Sequence, residues 1–475
     1  MTRNEIIENV TEAYIAKLDR DNPPTPRVIE SELVTEINDS IMLENQLRAK
    51  GDKLRSFDVL DHDQIAKIML ATNYISCINC GGENSEAEYD ILAIYKKDGY
   101  NKGTYRSDKR DFFEIAIKYN PRLTDRQLNN VIKRLRTLAQ RVERCMDRDL
   151  IAVNNGIFNY KTKEIKEFTP DLVFLSKSHV NYNHAAQNIV IHNDEDGTDW
   201  DVESWMKSLS DDPEIVEVLW QILGAIVRPF VGWNKSAWLY SETGNNGKGT
   251  LCELMRELVG ASAYAAIPLC DFSKDFMLEP LTRATAIITD ENDVGTYVDR
   301  AANLKSVITN DAIFMNRKFQ TPINYEFYGF MVQCLNEFPR VKDKSNSFYR
   351  RQLFIPFNKC FTGHERKYIK RDYLHRSEVL EYCLYKVLNM NYYDLVIPKA
   401  CQDAIERYKE FNDPVRQFWY ELKEEFKWDL LPYKFLYDLF QAWIRKNNPY
   451  GKLKENRNLL WNFKLLFKMI MNGML

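Results

Sequence analysis

SAWLYSETGNNGKGTL, residues 236–251, runs from a short apolar segment through a turn rich in glycine and asparagine into the start of a helix. Ala237, Trp238, Leu239 and Tyr240 read as a strand, and 251–259 as a helix. Strand, loop and helix N-terminus in that order make an anion site. Backbone N–H groups converge on the loop, and the helix dipole adds partial positive charge. Gly244, Asn245, Asn246, Gly247, Lys248, Gly249 and Thr250 form the candidate phosphate cradle, with Lys248 reaching the β- and γ-phosphates. The segment departs from G-x-x-x-x-G-K-[ST] at two places: Glu242 stands at the first glycine, and Gly249 at the metal-binding hydroxyl, with Thr250 next to it.

Three more apolar runs follow, each with polar groups at one end. Ala286-Ile287-Ile288-Thr289 leads into Asp290-Glu291. Nucleotide hydrolysis needs one carboxylate at a strand end to hold Mg²⁺ and another to polarise the attacking water, although an acidic pair more often caps a helix or lies in a solvated turn. The run FMVQCL, 330–335, ends in Asn336, an amide able to bond both a γ-phosphate and the water. Arg350-Arg351 precede the run QLFIPF, 352–357, and could supply an arginine finger to a neighbouring subunit. Each signal is ordinary alone; the order and spacing are not.

This ordered set resembles the superfamily 3 helicases, in particular the branch found in phages, phage satellites, plasmids, pathogenicity islands and poxvirus primase-helicases. The likeness is carried by 246–251 (NGKGTL), 289–292 (TDEN), Leu304-Lys305 with Asn310-Asp311, 316–319 (NRKF), 335–339 (LNEFP) and 348–353 (FYRRQL), with a weaker echo at 153–158 (VNNGIF). The resemblance implies an AAA+-type motor that binds ATP and Mg²⁺ between the subunits of a ring of six. It implies Asp290 and Thr250 at the metal, Glu291 at the water, Asn336 as γ-phosphate sensor, and Arg350 or Arg351 as finger, with Arg351 slightly preferred. It also implies a hairpin in the central pore before the sensor strand. Here that hairpin is 313–319 and 324–328, where Arg317 and Lys318, with Lys305 nearby, would grip single-stranded DNA; an origin duplex is a further possible partner. A non-translocating P-loop module, for assembly or signalling, would keep the loop and acidic pair without the basic hairpin.

The implied fold class is α/β and multidomain. An AAA+-like P-loop core with a parallel sheet (233–405) follows a mixed α+β amino-terminal domain (1–195) and a helical collar (196–232). A small α-rich, winged-helix-like domain (406–475) closes the chain. Within the first domain the pattern predicts strands at 89–95, 150–153 and 156–160 and helices at 109–119 and 124–144, the last opened by a Thr124/Gln127 capping box. Residues 183–200 read as a polar linker that includes His184 and His192.

Hydrophobic residues make up 45% of the 475 and charged residues 28%, which suits a globular chain with a large core. No apolar run is long enough to span a bilayer, and the opening MTRNEIIENVTEAY lacks the apolar segment of a secretory signal. Nine scattered cysteines suit reduced thiols in a cytoplasm; Cys77 and Cys80 form a lone CxxC with no second pair to complete a zinc site. A net charge of −3 excludes a cationic coat over the whole protein but not local fields. Residues 96–148 hold fifteen Lys/Arg against seven Asp/Glu, and 416–475 eleven against six, both candidate phosphate-backbone contacts.

Overall fold

The computed structural model describes residues 1–447 except 84, 229, 319–321 and 428–430. At its centre is a five-stranded sheet of β1 (Ser236–Tyr240), β2 (Tyr264–Ala265), β3 (Ala286–Thr289), β4 (Phe330–Leu335) and β5 (Gln352–Pro356). The spatial order is β2-β3-β4-β1-β5, and every pair is parallel. All residues of β1, β3, β4 and β5 are buried, as expected of strands with both faces covered. Side chains alternate between two cores. Ala237, Leu239, Ile288 and Val332 join the core that includes the helix Pro213–Val227 and α1 (Lys248–Val259). Trp238, Tyr240, Ile287 and Met331 join the other, which includes Leu304 and Tyr408 of the helices Ala302–Thr309 and Lys399–Asn412.

Tyr240 lies level with Leu335 and Pro356, and Thr289 with Gln333. The loops after β1, β3 and β4 therefore leave one edge of the sheet together, at its carboxyl ends, where open parallel sheets bind ligands.

The amino-terminal domain has its own core, from Ile6 to Leu135, beneath a sheet ordered Tyr105–Arg106, Ile91–Tyr95, Ile75–Asn79, Gln140–Glu143. Two sequence expectations change here. The helix from the Thr124/Gln127 capping box ends at Leu138, because Gln140–Glu143 pairs in parallel with Ile75–Asn79. That pairing is reinforced by Arg141, which donates at 2.7 Å to the buried carboxylate of Asp90. The expected linker holds a hairpin, Ile191–Asn193 with Thr198–Trp200, whose Ile191 and Trp200 are buried against the motor. Ile151, Val153 and Phe158 share that motor core, so 150–200 packs with the motor and not with the Ile6–Leu135 core. Cys77 and Cys80 are buried, with Cys77 in a strand, and burial pushes both thiols up.

At the carboxyl side, the helix Lys399–Asn412 belongs to the motor, and Pro414–Leu422 and Tyr433–Asn447 share a small core of Phe418, Leu436 and Phe440. The rest of the expected winged-helix-like domain, 448–475, and the expected hairpin tip at 319–321 lie outside the described residues. No described helix is long and apolar enough to cross a membrane.

His179 joins the two parts of the chain. Its ring stacks on Tyr100 at 3.8 Å, contacts Ser262 Oγ at 3.0 Å, and covers the space beside Gly260, the cap of α1. Burial, with Lys177 and Arg106 adding to it, pulls the imidazole down to about 4. The unfolded chain then binds the extra proton first. The contribution of neutral His179 is intact above pH 6.5 and is lost as pH falls from 6.5 towards 4. His179→Phe keeps the stack and removes the titration. The melting temperature of the wild type should therefore fall more steeply than that of the variant across this window, and parallel curves would contradict the assignment.

Candidate active site

The loop after β1 gets its shape from two residues with left-handed backbone, Asn245 (φ 52°) and Gly247 (φ 87°). The left-handed backbone at Gly247 favours glycine, and a β-carbon there would lie 2.6 Å from Leu209 Cδ2, so that side chain would also have to move. Asn246 donates to the Thr243 carbonyl and accepts from the Lys248 N–H at 3.3 Å, closing the turn on the first residue of α1. Asn245 ties the loop to 361–365: its carbonyl accepts from the Phe361 N–H at 2.7 Å, and its amide donates to Glu365 at 3.0 Å. Glu242, at the departure from the consensus, accepts from the Tyr240 hydroxyl at 2.8 Å.

Lys248 is 5% exposed, and its buried Nζ has no hydrogen-bond partner among the described residues. Burial pulls the amine down, while the nearby Cys334, Cys252 and Asp290 oppose the shift. A buried ammonium without a partner is costly, and an anion entering the loop would relieve that cost. Asp290 stands beside the same turn: one carboxylate oxygen is 3.4 Å from where a β-carbon on Gly249 would sit, and the other is 3.2 Å from Arg256. Thr250 is half-buried on that turn. Lys248 and Asp290 fit a nucleotide phosphate with its Mg²⁺.

Glu291 and Asn336 are exposed immediately after β3 and β4, at the edge that carries the loop. Asn292, next to the acidic pair, is buried; it donates to Gln333 and to the Cys334 carbonyl and accepts from the Leu269 N–H, which pins the ends of β3 and β4 together. The thiols of Cys252 and Cys334 meet at 3.2 Å beneath the loop, with Cys252 pushed well up by Cys334 and by burial. Two groups among the described residues bring potential metal ligands together, Cys252/Asp290/Cys334 and Glu253/Glu257/His375.

The arginine pair separates. Arg351 donates to the carbonyl and hydroxyl of Ser347 in its own chain, whereas Arg350 caps a short helix with its side chain exposed. The hairpin forms as Ala312–Met315 against Ile323–Glu326. Its second strand is fastened to the amino-terminal domain: the Glu326 N–H donates to the Cys80 carbonyl at 2.8 Å, and Arg144 donates to the Glu326 carbonyl and lies over Tyr328. Of the three cations expected at DNA, Lys318 is exposed, Arg317 is buried, and Lys305 is paired with Asp343 at 2.7 Å.

Sequence reasoning missed a cavity of about 630 Å³ beside the loop. Trp205, Leu209 and Phe361 supply its apolar wall, Arg366, Lys367, Lys370 and Arg371 line it with positive charge, and Asp199, Asp201 and Glu365 with negative. Lys370 Nζ is 3.8 Å from the β-carbon position of Gly249, which places a second cation at the cradle. The basic run RKYIKR at 366–371 was the available signal. One consequence is specific to Gly247: Gly247→Ala should weaken binding of a fluorescent ATP analogue by more than tenfold, since left-handed backbone costs a non-glycine residue about 1–2 kcal/mol before the Leu209 clash is counted. Wild-type affinity in that variant would mean that the loop does not hold the phosphates.

The sheet order, the phosphate loop after β1 and the polar groups at the ends of β3 and β4 define an α/β protein built on an AAA+-like P-loop core. Three family models match: the D5 N terminal like family at 82–219, a family of unknown function (DUF5906) at 239–351, and the Poxvirus D5 protein-like family at 410–464. Over residues 82–219 and 410–464 the chain is thus similar to two D5-like families. No curated protein matches it. Among solved structures, the A form apo structure of the NrS-1 C terminal region is 13% identical, with a TM-score of 0.43, covering 86% of each chain. An apo structure of the NrS-1 C terminal region (305-718) is 14% identical, with a TM-score of 0.43, covering 83% of this chain and 95% of that one.

Proposed function

We propose that this protein is an ATP-driven replicative DNA helicase of a phage-related mobile element, working as a ring of six subunits. The observation that carries the reading is the buried, unpartnered ammonium of Lys248 at the loop, with Asp290 beside the same helical turn. Lys248 neutralises charge on the γ-phosphoryl group, and Lys370 adds a second positive charge at the cradle. Asp290 and Thr250 would hold Mg²⁺, which would supply positive charge to offset that on the phosphates. Glu291 orients and deprotonates the attacking water. Asn336, on the adjacent strand end, bonds the γ-phosphate and transmits its loss through β4. Arg350 of one subunit completes the site of the next, so hydrolysis is coupled to movement between subunits. Exposed Lys318 on the hairpin is the candidate grip on single-stranded DNA.

Two measurements on a forked duplex test this. ATP hydrolysis should rise when the fork is added, and the labelled strand should be displaced. Hydrolysis indifferent to DNA, with no displacement, would instead make the chain a non-translocating ATPase. Mass measurement with ATP and the fork should report six copies.

A further inference from the structure

A second cavity, of about 390 Å³, lies where the amino-terminal domain meets the motor. Four cations line it from three parts of the chain: Arg106 and Lys109 from the amino-terminal domain, Arg283 from the short helix before β3, and Arg317 from the end of the first hairpin strand. Two carboxylates face them, Asp108 and Glu279. Asp108 is already engaged as the cap of the helix Lys109–Tyr119, accepting from the Arg110 N–H at 2.9 Å. The lining is therefore net positive, four cations against two carboxylates, with Arg317 buried and Arg106 half-buried. Arg317 is 7% exposed, and burial, with Arg136 adding to it, brings it down to about 10. Arg106 is lowered by burial and by Arg283. Crowding four like charges around one cavity is unfavourable and an anion entering it offsets that repulsion, and planar guanidinium forks match phosphate oxygens.

We propose that this cavity is a second phosphate site, which binds the backbone of a nucleic-acid strand or the phosphates of a free nucleotide at the joint between the two domains. The backbone is the better match in charge, since Arg106 and Lys109 belong to the segment 96–148, whose net charge is +8, and Arg317 precedes exposed Lys318 on the hairpin. The site is separate from Lys248, and its occupation does not depend on hydrolysis. A ligand here would fix the hairpin relative to the amino-terminal domain.

The test uses the full chain carrying Arg106→Ala and Arg283→Ala, with Lys118→Ala and Lys133→Ala as a control that removes the same charge from exposed positions of the basic segment. Anisotropy of a labelled single-stranded oligonucleotide should show affinity falling on the order of tenfold in the first variant. The slope of log K against log salt should become shallower by about 1.4, the change for two lost phosphate contacts on a single strand. The control should move less. A second arm titrates inorganic pyrophosphate into Lys248→Ala protein with and without the two arginines; binding lost with the arginines would assign the cavity to free nucleotide phosphates. Should the double variant lose its melting transition, Arg283→Ala alone serves, because that side chain is exposed. If neither oligonucleotide nor pyrophosphate binding changes, or the control matches the double variant, the cavity is not a phosphate site.

Discussion

Glu291→Gln should leave the protein binding ATP and stop it turning ATP over. Glutamine keeps the shape of the side chain but cannot accept a proton from water, and loss of a positioned base costs about 10²–10⁴ in rate. Asp290, which stands beside the first turn of α1, is untouched, so the metal site survives. Lys248→Met should behave in the opposite way, because its burial is unfavourable in the chain without ligand. The burial-lowered amine means that the unfolded state holds the proton more readily than the folded one. Removing the charge should raise the melting temperature without nucleotide and abolish the further rise that ATP gives the wild type. Stopped-time phosphate release and melting curves with and without ATP measure both. Normal turnover in Glu291→Gln would remove the acidic pair from the mechanism, and an ATP-dependent rise persisting in Lys248→Met would remove the loop.

Much of this site was readable because the loop, the acidic pair and Asn336 each follow an apolar run. A parallel strand covered on both faces must be continuously hydrophobic, so 236–240, 286–289, 330–335 and 352–356 stand out, and the polar residue ending a run marks the carboxyl edge of the sheet. β2 is only two residues long and leaves no such trace. Gln140–Glu143 looked helical because its partner, Ile75–Asn79, lies far away in the sequence. Pairings made across the fold were likewise unreadable: Arg256 with Asp290, Lys305 with Asp343, and Lys370 beside Gly249. Arg317 and Lys318 are adjacent in sequence, and only the packing of the amino-terminal domain on the hairpin makes one buried and the other exposed. Alternation along a strand would point Arg350 and Arg351 in opposite directions, but both precede β5, and the bond from Arg351 to Ser347 is what separates them.

That separation sets the expectation for activity shared between subunits. Arg350→Ala should hydrolyse ATP more slowly by about 10³–10⁵, the effect of an arginine finger on phosphoryl transfer, with its melting temperature unchanged because the side chain is exposed. Arg351→Ala should lower the melting temperature, since it removes the donor to the Ser347 carbonyl and hydroxyl. Lys248→Ala, with an intact finger and no working loop, should be inactive alone. Mixing it with Arg350→Ala should restore activity, because some interfaces then pair an intact loop from one subunit with an intact finger from its neighbour. In a ring assembled at random from equal amounts, about one interface in four is of this kind. The restored rate should therefore approach a quarter of wild type and fall when either partner is in excess. Co-assembly shown by mass, with no recovery at any ratio, would mean that Arg350 acts within its own subunit or not at all. Recovery with Arg351→Ala in place of Arg350→Ala would move the finger one residue along the chain.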